Sequence, residues 1–341
     1  MPGELTEVTE LATALGTLGA DLTDLLARPR PPGELCNVDE PTWSRLREAW
    51  SGGRWRGDFL AGAANGAALA AADDGLRHRP PRRIEWMGPQ RPPGDDTVPA
   101  DLRIDHVYLV SCKYLSRVLS NSGPPRLFDR LLTGEGRSGV NWFAEVAPSE
   151  YAAFYRAART ATGLDDLPDD PLDLGRDDQQ RLRSALTGRT LPPPLGEPWV
   201  ELCAAVASGS ALRWSEAMSR PRDRLRLLWR LLRISSVSYF VLGTQPAQGR
   251  RPPSVLRLRV DAAWDWSQRF DLVSLDVVPR RAGQPEVGWR AEVAERSTGT
   301  HRLVEGHVEV RWSHGRFVGF PEAKVYLDTP HADVPGYHPL R

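Results

Sequence analysis

Two lysines are the most distinctive of the residues that could do chemistry in this chain. Lysine and arginine together number 44, yet the only lysines are Lys113 and Lys324. Arginine is always charged and planar, whereas lysine carries a compact ammonium group whose pKa shifts readily on burial. Each lysine lies in a short apolar run and follows an oxygen-bearing side chain by two residues, Ser111 and Glu322. On a strand such pairs share one face, a pattern that indicates metal-assisted phosphodiester chemistry.

The segment that ends at Lys113 carries the sharper of the two patterns. Asp101 begins one predicted strand, 101–104, and Lys113 ends the next, 107–113. In a tight hairpin the aspartate and the lysine converge at one end of the sheet. A carboxylate there can hold Mg²⁺ through oxygen, and the metal can activate a water molecule. The neighbouring ammonium group can then neutralise the charge that grows on the phosphorane.

This arrangement resembles the PD-(D/E)xK nuclease superfamily, the fold of many restriction endonucleases. In that family an acidic residue on one strand is followed, after a short hairpin, by (D/E)-x-K on the next. The resemblance implies that Asp101 is a metal ligand and that Lys113 is the catalytic lysine. Two positions depart from the motif, because Pro99-Ala100 precedes Asp101 and Ser111 occupies the place of the second acid.

Neighbouring residues complete the site that the resemblance implies. Glu85, on the preceding predicted strand 83–87, is the best replacement for the missing acid and a second metal ligand. The backbone carbonyl of Cys112 is a further ligand, Ser111 hydrogen-bonds the water or the lysine, and Asp58 matches a helical acid that the family often carries. The expected function is cleavage of double-stranded DNA with Mg²⁺ or Mn²⁺, in restriction or phage defence. A homodimer would supply one site for each strand.

Two alternatives to this interpretation stay open. The first is a non-catalytic protein that binds nucleic acid or joins a complex while it keeps the nuclease-like fold, and the departure at Ser111 favours it. The second places catalysis at Glu309, Glu322 and Lys324, because Glu322-Ala323-Lys324 is a literal E-x-K. No predicted helix follows this motif, so we rank it below the first site.

The turn beside Lys324 has features of a DNA contact. It gathers four cationic or ionisable side chains, Lys324, Arg311, His314 and Arg316, with Trp312 and Phe317 between them. Such a mixture suits contact with phosphates and with base edges. The two aromatic residues fit a hydrophobic core equally well.

The elements that must position these residues follow from hydrophobic periodicity and turn residues. Helices are predicted at 5–27, 41–50, 57–72, 125–132, 148–162, 177–187, 197–207 and 221–233. Alternating segments predict further strands at 237–242, 255–260, 272–278, 289–295, 303–312 and 316–320. We therefore expect an α/β (α+β) protein with a restriction-endonuclease-like αβββα core, a helical insert and a C-terminal antiparallel β domain. The expected boundaries are N-terminal helices at 1–54, the core at 55–163, a helical linker at 164–234, and a DNA-recognition domain at 235–341.

Composition limits the remaining classes of function. The formal net charge is +0, so nucleic-acid binding must come from local patches and not from a global basic field. The three cysteines show neither zinc spacing nor a disulfide framework, which favours a reducing, cytoplasmic compartment. The histidines are scattered without metal-ligand spacing. No apolar stretch approaches the roughly 20 residues of a membrane span, so no membrane partner is expected.

Overall fold

A computed structural model describes residues 3–88, 100–114, 118–124, 127, 141–188, 190–245 and 254–341. The protein is mixed α/β, as predicted, with one mixed and one antiparallel sheet. Two compact units, each built from separate stretches of chain, are present. The first comprises Met1–Arg117, Arg233–Arg269 and His331–Arg341, and the second comprises Val118–Leu232 and Phe270–Pro330.

The described helices and strands occur mostly in runs along the chain. The helices are α1 (Glu4–Gly16), α2 (Leu22–Ala27), α3 (Glu40–Ser51), α4 (Arg56–Ala71), α5 (Trp142–Val146), α6 (Pro148–Thr162), α7 (Arg176–Ala185), α8 (Gly196–Ala217), α9 (Pro221–Leu231) and α10 (Ala263–Arg269). The strands are β1 (Leu35–Cys36), β2 (Ile84–Trp86), β3 (Leu102–Ile104), β4 (Tyr108–Tyr114), β5 (Val118–Ser122), β6 (Tyr239–Gln245), β7 (Ser254–Val260), β8 (Phe270–Arg281), β9 (Pro285–Glu295), β10 (His301–Arg311), β11 (Glu322–Leu327) and β12 (Tyr337–Pro339).

The sheet of the first unit has the strand order β1-β2-β3-β4-β6-β7-β12. Strands β2, β3 and β4 form an antiparallel meander, and β6 then pairs in parallel with β4. The predicted strands 237–242 and 255–260 therefore do not belong to a C-terminal antiparallel domain. A parallel pair needs a crossover, and here the second unit is part of that crossover. Helix α4 precedes these three strands in the chain, and the restriction-endonuclease-like core stays a prediction.

Helices α1 and α4 cover one face of this sheet and pack closely against each other. The close approach requires glycine, since a Cβ on Gly66 would lie 2.0 Å from the Thr13 carbonyl oxygen. Apolar side chains from both helices and from the facing sheet fill the core, among them Leu11, Leu15, Phe59, Leu69, Ile84, Trp86, Leu102, Ile104 and Val110. The residues between them in β2–β4 therefore project from the opposite face.

The predicted N-terminal helix 5–27 is wrong in its length, because it is two helices. Helix α1 ends at Gly16. In the turn that follows, Gly19 adopts a left-handed conformation with φ of 72°, which the helix cannot continue through. Asp21 then begins α2, because its carboxylate accepts a hydrogen bond from the backbone N–H of Thr23 over 2.7 Å. Leucine periodicity continues through the break, and this continuity hides the turn from a pattern search.

The second unit is built on an antiparallel sheet with the order β5-β11-β10-β9-β8. Helix α8 packs against β8 and β9, and α6 packs against α8. Burial alternates along β10, where Val308 and Val310 are buried and His307 and Glu309 are only partly so. One face of the sheet is thus apolar and the other polar.

The C-terminal prediction and the domain boundaries differ from this arrangement. Residues 316–320 form turns, and the final strand of the second sheet is β11. Strand β5 had no counterpart in the prediction, and α6 lies in the second unit although it falls inside the expected core 55–163. The predicted helix 125–132 lies outside the described residues apart from Leu127. No helix in the described part of the chain has both the length and the apolar character to cross a membrane.

Candidate functional site

The hairpin of β3 and β4 positions the residues of the first predicted site. Its turn places Asp105 and His106 in left-handed backbone conformations, with φ of 49° and 61°. Aspartate tolerates this conformation better than most residues. Its carboxylate also accepts hydrogen bonds from the backbone N–H groups of Arg82 and Arg83, over 2.8 and 2.9 Å. The turn is therefore fixed against the segment that leads into β2.

The hairpin brings Asp101 against the S-x-K segment. The backbone N–H of Cys112 donates to Oδ2 of Asp101 over 2.7 Å, and the Ser111 hydroxyl group lies 3.4 Å from the same oxygen. Both Asp101 and Ser111 are buried. Lys113 is half-buried and lies two residues farther along β4, on the same face of the strand as Ser111. Asp101 and Ser111 are thus parts of one local arrangement, and Lys113 follows on the same strand.

Glu85 has partners of another kind. It lies opposite Arg103 in the sheet, and the Arg103 guanidinium group binds both carboxylate oxygens, over 2.6 and 3.1 Å. Arg83 and His106 approach the same carboxylate, at 3.2 and 3.3 Å. The hydrogen bond from Arg103, against the opposing effect of burial, lowers the pKa of Glu85. These contacts occupy Glu85 with cations and do not support its expected role as a metal ligand.

The thiol of Cys112 takes no part in this chemistry as an anion. Burial raises the pKa of Cys112 far above its usual value, and the nearby Asp101 and Glu10 carboxylates raise it further. A protonated thiol is a poor metal ligand, so only the backbone of Cys112 remains as a donor.

Asp58, the predicted helical acid, lies in the first turn of α4.

The second lysine belongs to the polar face of the second unit's sheet. Lys324 lies opposite Glu309 on β10, and its Nζ is 3.9 Å from the Glu322 carboxylate. Glu322 also accepts hydrogen bonds from Asn121, over 2.9 Å, and from Ser313. Burial opposes ionisation, but the hydrogen bonds from Ser313 and Asn121 outweigh it and lower the pKa of Glu322. The literal E-x-K is therefore a same-face pair on a sheet.

A cavity of about 500 Å³ lies beside this face, within the second unit. The side chains that matter for its chemistry are cationic or aromatic, namely Arg183, Arg311, His314, Arg316, Trp199 and Trp312. Three of the four predicted DNA contacts thus line one cavity, and Lys324 is not among the residues that line it. Phe317 is in the core, where it stacks on Phe154 with 5.5 Å between ring centroids.

The sequence pattern did not predict one group of possible metal ligands. Single ligand atoms of Glu286, His307 and Glu309 all lie within 4.8 Å of one another. The spacing His-x-Glu on a strand was the available signal, because it places both side chains on one face. Glu286 could not be found in this way, since it joins the group only through the pairing of β9 with β10.

Comparison of the chain with protein-family models, with curated proteins and with solved structures finds no match. The similarity to the PD-(D/E)xK superfamily therefore depends on the motif residues and on the order of the elements around them.

Proposed function

We propose that this protein is a metal-dependent DNA endonuclease whose catalytic residues are Asp101, Ser111 and Lys113. The observation that carries the proposal is the contact of Asp101 with Ser111 and with the backbone of Cys112. It joins the two halves of the degenerate motif, which are ten residues apart in the chain. Helix α4 and then the meander β2-β3-β4 follow one another in the chain, an order that supports the resemblance.

The donors at this position suit a hard cation. Mg²⁺ binds through one or two carboxylates and keeps several water molecules or takes substrate phosphate oxygens. Asp101 supplies one carboxylate, and the carbonyl of Cys112 projects from the same strand edge as the N–H group that contacts Asp101. Mg²⁺ or Mn²⁺ bound there would polarise the scissile phosphate and lower the pKa of a water molecule.

The protein's own side chains then have separate tasks. Asp101 holds its position through the Cys112 N–H group. Lys113 places a compact positive charge on the face where the phosphate would bind. Such a charge stabilises the transition state most strongly where water is excluded. The Ser111 hydroxyl group orients the attacking water. Arg103 and Arg83, which bind Glu85, bring positive charge toward the DNA backbone.

Recognition of the substrate is assigned to the second unit. Arg311, His314 and Arg316 at the cavity supply phosphate and base contacts, and Lys324 lies on the adjoining sheet face. Because both strands of the duplex must be cut, we also propose that two copies act together in restriction or phage defence.

A second candidate function is DNA binding without cleavage. The observation that favours it is the ion-pair network of Glu85, since two arginines neutralise the residue that would replace the missing acid. Under this alternative the same arginines bind phosphate, and Asp101 serves only to hold β3 against β4.

Plasmid nicking separates the two functions. We expect the wild type to nick DNA with Mg²⁺ or Mn²⁺, and chelation to abolish nicking. Asp101→Asn and Lys113→Met should each reduce the rate by about 100-fold or more, whereas Asp24→Asn, at an exposed helical position, should not. DNA binding without nicking, on both methylated and unmethylated substrates, would establish the second function. Loss of nicking in Lys324→Met but not in Lys113→Met would move catalysis to the second unit.

A further inference from the structure

Three side chains that commonly bind metals meet on the polar face of the second unit's sheet. Glu309 on β10 lies opposite Glu286 on β9, and His307 precedes Glu309 by two residues on the same face. Their ligand atoms lie within 4.8 Å of one another. Small rotations of these partly buried side chains would bring all three atoms within about 2.0–2.2 Å of one shared metal ion. This is the distance at which N and O ligands bind a transition metal.

A carboxylate orients the histidine in this group. The Nδ1 atom of His307 lies 2.9 Å from Oδ1 of Asp328, and Arg280 donates to the other Asp328 oxygen over 3.0 Å. Metal-binding histidines usually carry such a carboxylate on the nitrogen that does not bind the ion. Here the arrangement leaves Nε2 for a metal.

A tyrosine orients one of the glutamates. The hydroxyl group of Tyr326 donates to Oε2 of Glu309 over 3.0 Å. The Tyr326 ring also stacks on His307, with 4.8 Å between centroids. The same residue therefore fixes both side chains.

Three cations near the group moderate its negative charge. Arg311 lies 3.4 Å from the Glu309 carboxylate, and Lys324 lies opposite Glu309 on β11. Strand β10 separates β11 from β9, so Lys324 flanks Glu309 on the side away from Glu286. Arg280 lies opposite Glu286 on β8 and donates to Asp328, so a third cation flanks the two carboxylates and the imidazole.

We propose that Glu286, His307 and Glu309 bind one divalent transition-metal ion. Imidazole nitrogen suits Zn²⁺ and the other late ions of this series, whereas carboxylate oxygen suits Mn²⁺. A mixed set of one nitrogen and two oxygens fits Mn²⁺ or Zn²⁺ better than it fits Mg²⁺. The site does not depend on the proposed cleavage of DNA, and it differs from the Mg²⁺ position at Asp101 in its donors and in the unit that carries it.

Isothermal titration of the full chain with ZnCl₂ and with MnCl₂ tests the proposal. We expect one site per chain that His307→Ala, Glu286→Gln and Glu309→Gln each weaken at least about tenfold, separate from any Mn²⁺ bound at Asp101. Asp328→Asn, which removes only the orienting carboxylate, should weaken binding by about tenfold as well. Circular dichroism of each variant reports folding, and the two near-isosteric glutamine variants carry the test if His307→Ala fails to fold.

The neighbouring pair of His301 and Glu292 is a matched control. It lies on the same two strands with a contact of 2.6 Å, but its side chains are 54% and 42% exposed and, among the described residues, it lacks a third ligand. His301→Ala should leave the affinity unchanged. The proposal is overturned if the wild type binds neither ion. It is also overturned if the three ligand variants bind as well as His301→Ala does.

Discussion

Gly243 is the residue whose replacement tests the core arrangement most directly. It lies on β6 opposite Lys113 of β4, in the parallel pair that the sequence did not predict. A Cβ atom added to Gly243 would lie 1.7 Å from the Lys113 carbonyl oxygen and 2.9 Å from its backbone nitrogen. Gly243→Ala must therefore push the two strands apart.

The structure gives the size of the effect. Ordinary contact between such atoms is about 3.5 Å, so the strands must separate locally by roughly 1.8 Å. Overpacking of this kind costs about 1–3 kcal/mol, and each weakened ladder hydrogen bond adds about 1 kcal/mol. We expect the free energy of unfolding of the first unit to fall by about 2–4 kcal/mol.

Urea denaturation followed by circular dichroism, with hydrogen exchange at the β4 amides, measures this change. Gly57→Ala in α4 is the control, because a Cβ there meets no atom within 4 Å and alanine favours a helix by up to about 1 kcal/mol. If Gly243→Ala is as stable as the wild type to within about 0.5 kcal/mol, the parallel pairing of β4 with β6 is refuted. Displacement of Lys113 should also slow any DNA cleavage.

Two further predictions concern the charged sites. The Arg103 hydrogen bond lowers the pKa of Glu85 below its ordinary value of 4.5. The ion pairs of Glu85 therefore stabilise the folded state fully at a pH above 4.5. This stabilisation disappears as the pH falls through the lower pKa of the folded state. Glu85→Gln should therefore be less stable than the wild type at neutral pH, with a difference that shrinks in unfolding experiments below about pH 4.5; a difference that stays constant into acid would contradict the network. At the cavity, Arg183→Ala and Arg316→Ala should weaken DNA binding and lower the salt slope by about 0.9 for each phosphate that the protein no longer neutralises. Fluorescence anisotropy across a salt series checks this, and Arg302→Ala, at an exposed position on the same sheet, should match the wild type.

Local pattern was a good guide wherever a residue's partners are near in sequence. The hairpin of β3 and β4 follows from two short apolar runs around a tight turn, and the contact of Asp101 with Ser111 spans only ten residues. Helices α4 and α6 likewise lie close to their predicted bounds. Alternation along β10 predicted a strand with one polar face, although it did not indicate which strands would lie beside it.

Long-range pairing decided the rest. Strand β6 alternates like its C-terminal neighbours, yet it pairs with β4, more than 120 residues earlier in the chain. Glu85 looked like a free acid because Arg103 is 18 residues away, and only the register of β2 with β3 places a guanidinium group against it. His307 looked isolated for the same reason.

The sequence by itself determined the mixed α/β class, most helices and strands, and the local union of Asp101 with the S-x-K segment, because backbone propensity and side-chain periodicity act over a few residues. Only the tertiary structure decided the chemical partners of each carboxylate: cations for Glu85, the Cys112 backbone for Asp101, and Tyr326 and Arg311 for Glu309. Strand register fixes those partners, and register depends on the simultaneous burial of distant apolar faces, which no short segment of the chain encodes.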